Sequence, residues 1–211
     1  MPWQLDAARL EWVSEELGDR LSLDGMADLV DQLLDATDED EIAELLDILA
    51  DEAQPERVSR WKWAFGLLLK HLYLVVALLA AAGRPTVGDL EGAQELLERQ
   101  YAYLDRLADG LAAGTVSVAE AGRRMHMYVN SARSSFWRVL DRQMREAGYA
   151  QEKWIAIGDA NTCSPCWEAQ MMGWQPIGTF AEPGSGYVLR NPTTECAGLT
   201  DCRCRKEYAS A

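Results

Sequence analysis

No cysteine occurs in the first 162 residues, yet the next 42 hold all five: Cys163, Cys166, Cys196, Cys202 and Cys204. Basic residues are scarce at the other end of the chain. Residues 1–60 carry 18 Asp and Glu against only Arg9, Arg20, Arg57 and Arg60, which accounts for the whole net charge of −14. Beyond residue 60 the two signs balance at 16 each. Histidine is limited to His71 and His126, and neither is followed two residues later by glutamate. With no HExxH, no GxSxG and no GxxxxGK[ST], the metalloprotease, α/β-hydrolase and P-loop classes have no residues to stand on. A zinc deaminase fails too, because it needs His- or Cys-x-Glu upstream and proline directly before its C-x-x-C, where Thr162 stands here. The opening MPWQLDAARLEW has neither a basic start nor an apolar run, so no secretory signal is expected. In a cytosolic setting, clustered cysteines point to metal or redox chemistry before structural disulfides.

What is present is ordinary globular material: 211 residues, 48% hydrophobic and 26% charged, enough for one domain with a real core or two small ones. The acidic excess repels phosphate backbones, which argues against sequence-specific or general nucleic-acid binding by this part. It predicts either a solvated helical face or a docking surface for a basic partner within residues 1–60.

The first two thirds read as helix. Met26, Leu29, Val30, Leu33 and Leu34 recur at helical steps, as do Ile42, Leu45, Leu46 and Leu49, with Thr37 and Asp40 resembling a cap between the two stripes. Pro55 breaks the run. Residues 61–82, WKWAFGLLLKHLYLVVALLAAA, are the most apolar of the chain and end at Gly83 and Pro85. Their length suits a membrane span. Insertion would gain roughly 3–6 kcal/mol from Leu, Val and Phe, while the central Lys70 takes back about 2.5–3.5 and His71 more. A buried central helix of a bundle is therefore preferred to an anchor. Leu90, Leu97, Tyr101, Leu104, Leu107 and Leu111 mark another helix. After AGTVS, Ser117 and Glu120 form a capping box for a helix running to Gly148, with Val118, Ala121, Met125, Tyr128, Ala132, Phe136 and Val139 as its core stripe. The pair should pack as an antiparallel hairpin, and Arg123, Arg124, Arg133, Arg138, Arg142 and Arg145 should give its outer surface a basic character.

After Gly148 the grammar changes to a short strand, WIAIGD, followed by dense glycine, proline and threonine. The fold class expected is mainly α: a helical bundle body with a small C-terminal α+β module stabilised by its cysteines. Three regions follow: an acidic helical N-terminal region 1–54, a helical body 55–150, and a Cys-rich module 151–211. Such a module buries little apolar surface and needs staples. Cys163 and Cys166 form a C-x2-C knuckle around Pro165, a spacing that lets two thiolates meet one Zn2+ at about 2.3 Å. Cys202 and Cys204 are two apart, so on a strand they share a face. Cys163, Cys166, Cys202 and Cys204 are the candidate zinc ligands, with Cys196 as an alternative ligand. Disulfides, a redox C-x-x-C and unliganded thiols are the competing readings. The redox one expects a thioredoxin-like βαβ setting that the helical body does not supply. Four thiolates would leave no open position for water, so the zinc would be structural.

WIAIGDANTCSPCWEAQMMGWQPIG, followed by DCRCR, resembles the C-terminal module of the phage Mu F-like minor head (head-morphogenesis) proteins. Asp159, Cys163, Cys166, Gly173, Cys202, Arg203 and Cys204 match the pattern, and the helix–turn–helix before it is similar, so the likeness covers roughly residues 86–206. The family's histidine three residues before C-R-C is Leu199 here, so either Cys196 replaces it as a ligand or the site uses only the two cysteine pairs. The resemblance implies a non-enzymatic minor component of a tailed-phage or prophage head. Such a protein would associate with portal or capsid proteins, act in the host cytoplasm during assembly and in the virion head, and be able to oligomerise. A membrane protein anchored by residues 61–82 and a C-x-x-C thiol redox protein are the alternatives.

Overall fold

The most apolar stretch of the chain is wrapped on three sides by other helices. The computed structural model describes residues 23–81, 85–158, 162–190, 193–199 and 202–210. Helix α1 runs Leu23–Ala50, α2 Arg57–Ala80, α3 Val87–Ala112, α4 Val118–Asn130 and α5 Arg133–Glu146. Helix α2 is long and apolar enough to cross a membrane, but it lies against α1, α3 and α5. It buries Trp61, Phe65, Leu69, Val76 and Leu79 there, each contributing about 1.5–3 kcal/mol by removal from water. Lys70 escapes to solvent and His71 is half-buried; burial, then Lys70, hold the imidazole's pKa below its ordinary value. The Trp61 indole donates to Met125 Sδ at 3.4 Å, and Tyr73 Oη meets Ser131 Oγ at 2.8 Å. These two contacts tie α2 to α4 and to the junction beyond it.

Two helix boundaries differ from the sequence expectation. Helix α1 does not stop at Thr37, whose buried hydroxyl donates to Leu33 O at 2.8 Å. The stripes on either side are in phase (Val30, Leu34, Thr37, Glu41, Leu45 and Leu49 are all buried), so one uninterrupted helix covers the core. The side chain of Asp40 lies outside the described residues. The break expected at Pro55 does occur, across residues 51–56. Because α1 contributes to the same core as α2 to α5, the boundary expected after residue 54 is a turn within one body.

The helix expected over 118–148 is divided at Ser131 and Ala132. Ser131 Oγ donates to Tyr128 O and Ser134 Oγ to Ser131 O, both at 2.7 Å, and these local hydroxyl bonds compete with a continuous helical ladder. The division redirects the chain: α4 rests on α1, while α5 rests on α2 and α3. The partner of α3 in the hairpin is therefore chiefly α5. Ser117 caps α4 by accepting from Glu120 N at 3.1 Å, but the Glu120 carboxylate turns to Arg123 and Arg124 instead of returning to the cap. A full capping box opens α3: Thr86 Oγ1 accepts from Asp89 N at 3.3 Å, and Asp89 Oδ2 accepts from Thr86 N at 2.8 Å. Replacing Thr86 by alanine is expected to cost about 1 kcal/mol in urea unfolding. A change within the error of the measurement would show that this cap contributes nothing.

The C-terminal module is built from β1 (Gln151–Ile155), α6 (Ser164–Met171), β2 (Gln175–Pro176), β3 (Tyr187–Arg190), β4 (Thr193–Glu195) and β5 (Arg205–Ala209). An antiparallel sheet of order β2–β1–β5 sets Trp154 opposite Lys206, and β3–β4 form a separate hairpin. The strand expected at WIAIGD starts three residues earlier and ends at Ile155, because Glu152 and Trp154 alternate onto the buried face. Gly173, at φ +65°, takes the left-handed position just past the C-cap of α6.

Candidate metal centre

The module's own core is small. Trp154, Ala156, Ala169, Phe180 and Val188 share it with Cys166, Cys196, Cys202 and Cys204, all buried, while Cys163 packs at its edge. Cys163 is the N-cap of α6, with Pro165 in the first turn, and Cys166 N and Trp167 N both donate to Cys163 O. This turn makes the expected knuckle. Cys196 lies in a second tight turn, where Leu199 N donates to Cys196 O at 2.9 Å and Leu199 takes φ +46°. Leu199 is 47% exposed whereas Cys196 is 2% exposed, so at this turn it is Cys196 that faces the cluster. Cys202 and Cys204 do not sit on a strand as expected; they immediately precede β5. Both are nevertheless buried beside Cys166. Asp159, part of the motif, lies outside the described residues.

All five sulfurs converge. Cys163 Sγ and Cys166 Sγ each lie 3.7 Å from Cys196 Sγ, and Cys166 Sγ lies 4.0 Å from Cys202 Sγ. A tetrahedral ion with sulfur at about 2.3 Å requires sulfur–sulfur edges of about 3.8 Å, and these three separations are of that size. The sulfurs fall into two overlapping groups, Cys163–Cys166–Cys196 and Cys166–Cys202–Cys204, each within 4.8 Å, with Cys166 common to both. This cluster can hold a metal. The thiols also perturb one another. Cys166 is pushed above its ordinary pKa by Cys196, Cys202 and Cys204, because its S–H is held in hydrogen bonds to their sulfurs, and by burial. Cys204 is drawn down to about 4 by Cys166 and then Cys202, with help from the backbone of Ile157 and the Trp154 indole. Trp154 Nε1 is buried on the Cys204 side of the cluster. Its N–H is suited to a thiolate neighbour, as expected of the groups that surround metal-bound sulfur.

Charge fastens this centre to the bundle. In the string Cys202–Arg203–Cys204–Arg205 the cysteines join the cluster and the arginines reach back to α1: Arg203 pairs with Asp35 at 3.0 Å, and Arg205 pairs with Asp28. Between them the buried Arg133 of α5 holds Asp31 at 2.7 Å and donates to Cys202 O at 3.5 Å. Part of the acidic face of α1 is thus engaged by the chain's own arginines. The basic outer surface expected for 118–148 is likewise spent on pairs such as Arg138–Glu95 and Arg142–Glu146.

A second network joins α5 to the sheet. Lys206 Nζ lies 2.9 Å from Asp141 Oδ2 and 3.0 Å from Glu152 Oε2, with all three side chains buried. Asp141 also accepts from Arg190 and from Tyr208 Oη, while Glu182 accepts from Arg190 at 2.8 Å and Arg138 at 3.3 Å. Burial works to raise the pKa of Glu182, but Arg190, Lys206 and Arg138 hold it below the ordinary 4.5. A depressed carboxylate contributes stability that is present above its unfolded pKa and is lost as pH falls through the folded one. Glu182→Gln should therefore destabilise the chain at pH 7 and flatten the acid limb of stability below about pH 4.5. Parallel pH profiles for the two proteins would rule out this role. Sequence reasoning missed Asp141, Glu152 and Lys206; the available signal was two charged residues at inward-facing positions of short strands.

Matched against protein-family models, curated proteins and solved structures, the chain finds no counterpart.

Proposed function

We propose that the chain is a non-enzymatic assembly protein of a tailed-phage or prophage head, associated with portal or capsid proteins, whose C-terminal module is clasped by one structural Zn2+. What carries the proposal is the convergence of Cys163, Cys166, Cys196, Cys202 and Cys204 in the C-x2-C … C-R-C order of the Mu F-like resemblance. The zinc draws its four ligands from these five thiols, and Cys196 stands in for the histidine that Leu199 replaces. The centre is a clasp, since a four-thiolate ion has no open position for a substrate. It makes the module a rigid element, presented to partners by the bundle beneath it. A redox pair fits less well, because Cys196 stands 3.7 Å from both knuckle thiols and crowds any isolated couple. Packing of α2 on three helices favours a bundle core over an anchor. Among the described residues, exposed acids such as Glu44 and Asp47 of α1 are available to a basic portal or scaffold surface, whereas Asp28, Asp31 and Asp35 are engaged internally.

Mass spectrometry of purified proheads and heads from the phage that encodes the chain tests the assembly role. A few copies per particle are expected. Particles that contain portal and capsid proteins but none of this chain would overturn it. Elemental analysis of freshly purified, reduced protein tests the clasp, with about one zinc per chain expected.

A further inference from the structure

Five thiols surround a position that a tetrahedral ion fills with four. We infer that Cys166, Cys196 and Cys202 are the constant ligands, and that Cys163 and Cys204 are interchangeable fourth ligands approaching from opposite flanks. The inference rests on the zinc proposal above and goes beyond it.

The geometry supplies the reason. Cys163 groups with Cys166 and Cys196, and Cys204 groups with Cys166 and Cys202. Each flanking thiol therefore reaches two of the three central sulfurs. Cys166 is the vertex they share, 3.7 Å from Cys196 and 4.0 Å from Cys202. Each flank touches Cys166, so either can complete the set. The flanks differ instead in what they offer the departed thiol. Cys204 is 4% exposed, with the buried Trp154 indole among the groups that act on it. Cys163 is half-exposed at the N-cap of α6.

The exchange moves a single metal–sulfur bond. The incoming thiol gives up its proton as it binds, the departing thiolate takes one up, and protons and charge balance. While Cys204 is bound, Cys163 is released at the rim, within reach of solvent. An external thiol or chelator then begins its attack from that side, so the clasp is thermodynamically firm but open to exchange.

Co2+ loaded into the full-length chain reads the ligand set, because its ligand-field and charge-transfer bands separate four-thiolate from three-thiolate sites. Cys163→Ala and Cys204→Ala should each bind one Co2+ with the four-thiolate spectrum, and should keep zinc affinity within about tenfold of the parent. The double variant should show the three-thiolate spectrum and lose at least about a hundredfold in affinity. If either single variant already gives the three-thiolate spectrum, that thiol has no substitute and the exchange is wrong, although the metal site itself survives. If the parent chain takes up neither Co2+ nor Zn2+, the zinc proposal falls as well. Cys204→Ser, closer in volume, repeats the test should Cys204→Ala fail to fold.

Discussion

With the proposed zinc clasp in place, stripping the metal is expected to unfold the C-terminal module while most of the helical bundle remains folded. The bundle and the module have separate cores of very different kinds. The bundle core holds Trp61, Phe65, Tyr73, Phe136 and Trp137 among many aliphatic side chains from α1 to α5, and no cysteine. The module's core cluster has Trp154, Phe180, Val188 and two alanines besides four buried thiols, so nearly half of that cluster is cysteine. Once the cation is gone, those cysteines no longer act as a core. They become a crowded set of thiols in which Cys166 resists ionisation and Cys204 favours it. A structural zinc contributes about 10–16 kcal/mol of binding free energy, which is folding free energy when the site does not exist in the unfolded chain.

Hydrogen exchange before and after chelation checks this region by region. The amides that pair β1 with β5, from Gln151 to Ile155 and Arg205 to Ala209, should lose protection and regain it when zinc returns. Those of α2 should not change. Helix α1 gives a third, intermediate result: around Asp28, Asp31 and Asp35 it loses Arg205 and Arg203 as partners but keeps Arg133, which belongs to α5. If verified metal-free protein kept full protection in β1 and β5, the cysteines would be ordinary core residues and the clasp would be wrong.

The parts of this architecture that were legible in the sequence are those fixed by local pattern. The burial of α2 followed from an apolar run with one solvated cation, and Lys70 does reach solvent. The clustering of the cysteines followed from knuckle spacing in a segment too small for a core. The parts not legible are those settled by distant partners. Thr37 has the chemistry of a cap, but because the stripes before and after it are in phase, tertiary burial overrides the local signal. The break at Ser131 is hidden for the opposite reason, since Ala121, Met125, Ala132 and Phe136 keep their stepping across it. Asp31 and Arg133 meet across 102 residues, and Asp35 and Arg203 across 168. No periodicity within one element announces such pairs. The acidic excess was visible, but not that its counter-charges lie in the cysteine motif itself. Cys196 was legible only as a spare, because the turn that brings it beside Cys163 and Cys166 depends on the hairpin of β3 and β4 before it.

Lys206→Met should destabilise the chain by about 3–5 kcal/mol, the range for removing one partner from a buried ion cluster. Methionine fits the aliphatic stem, so packing changes little and the loss reports charge. Lys206 Nζ is shared among Asp141, Glu152 and the Phe180 carbonyl at 3.3 Å. Without it, Asp141 still has Arg190 and Tyr208, and Glu152 still accepts from Gly178 N and Phe180 N at 2.8 Å each. Neither set replaces the cation between the two carboxylates, so a net negative charge is left in a dry site. Glu152→Gln in the same background should recover part of the loss, because the amide oxygen can still accept from both N–H groups while the surplus charge disappears. Arg203→Ala is the control: that pair is half-exposed on both sides, and such pairs contribute at most about 1 kcal/mol. The shape of the urea curve carries further information. Asp141 belongs to α5, whereas Lys206 and Glu152 belong to the sheet, so the network is the hinge of cooperativity between bundle and module. Its loss should turn one transition into two, with the module unfolding first. A single transition shifted by less than about 1 kcal/mol would place the coupling elsewhere, in the arginine contacts that join the cysteine string to α1.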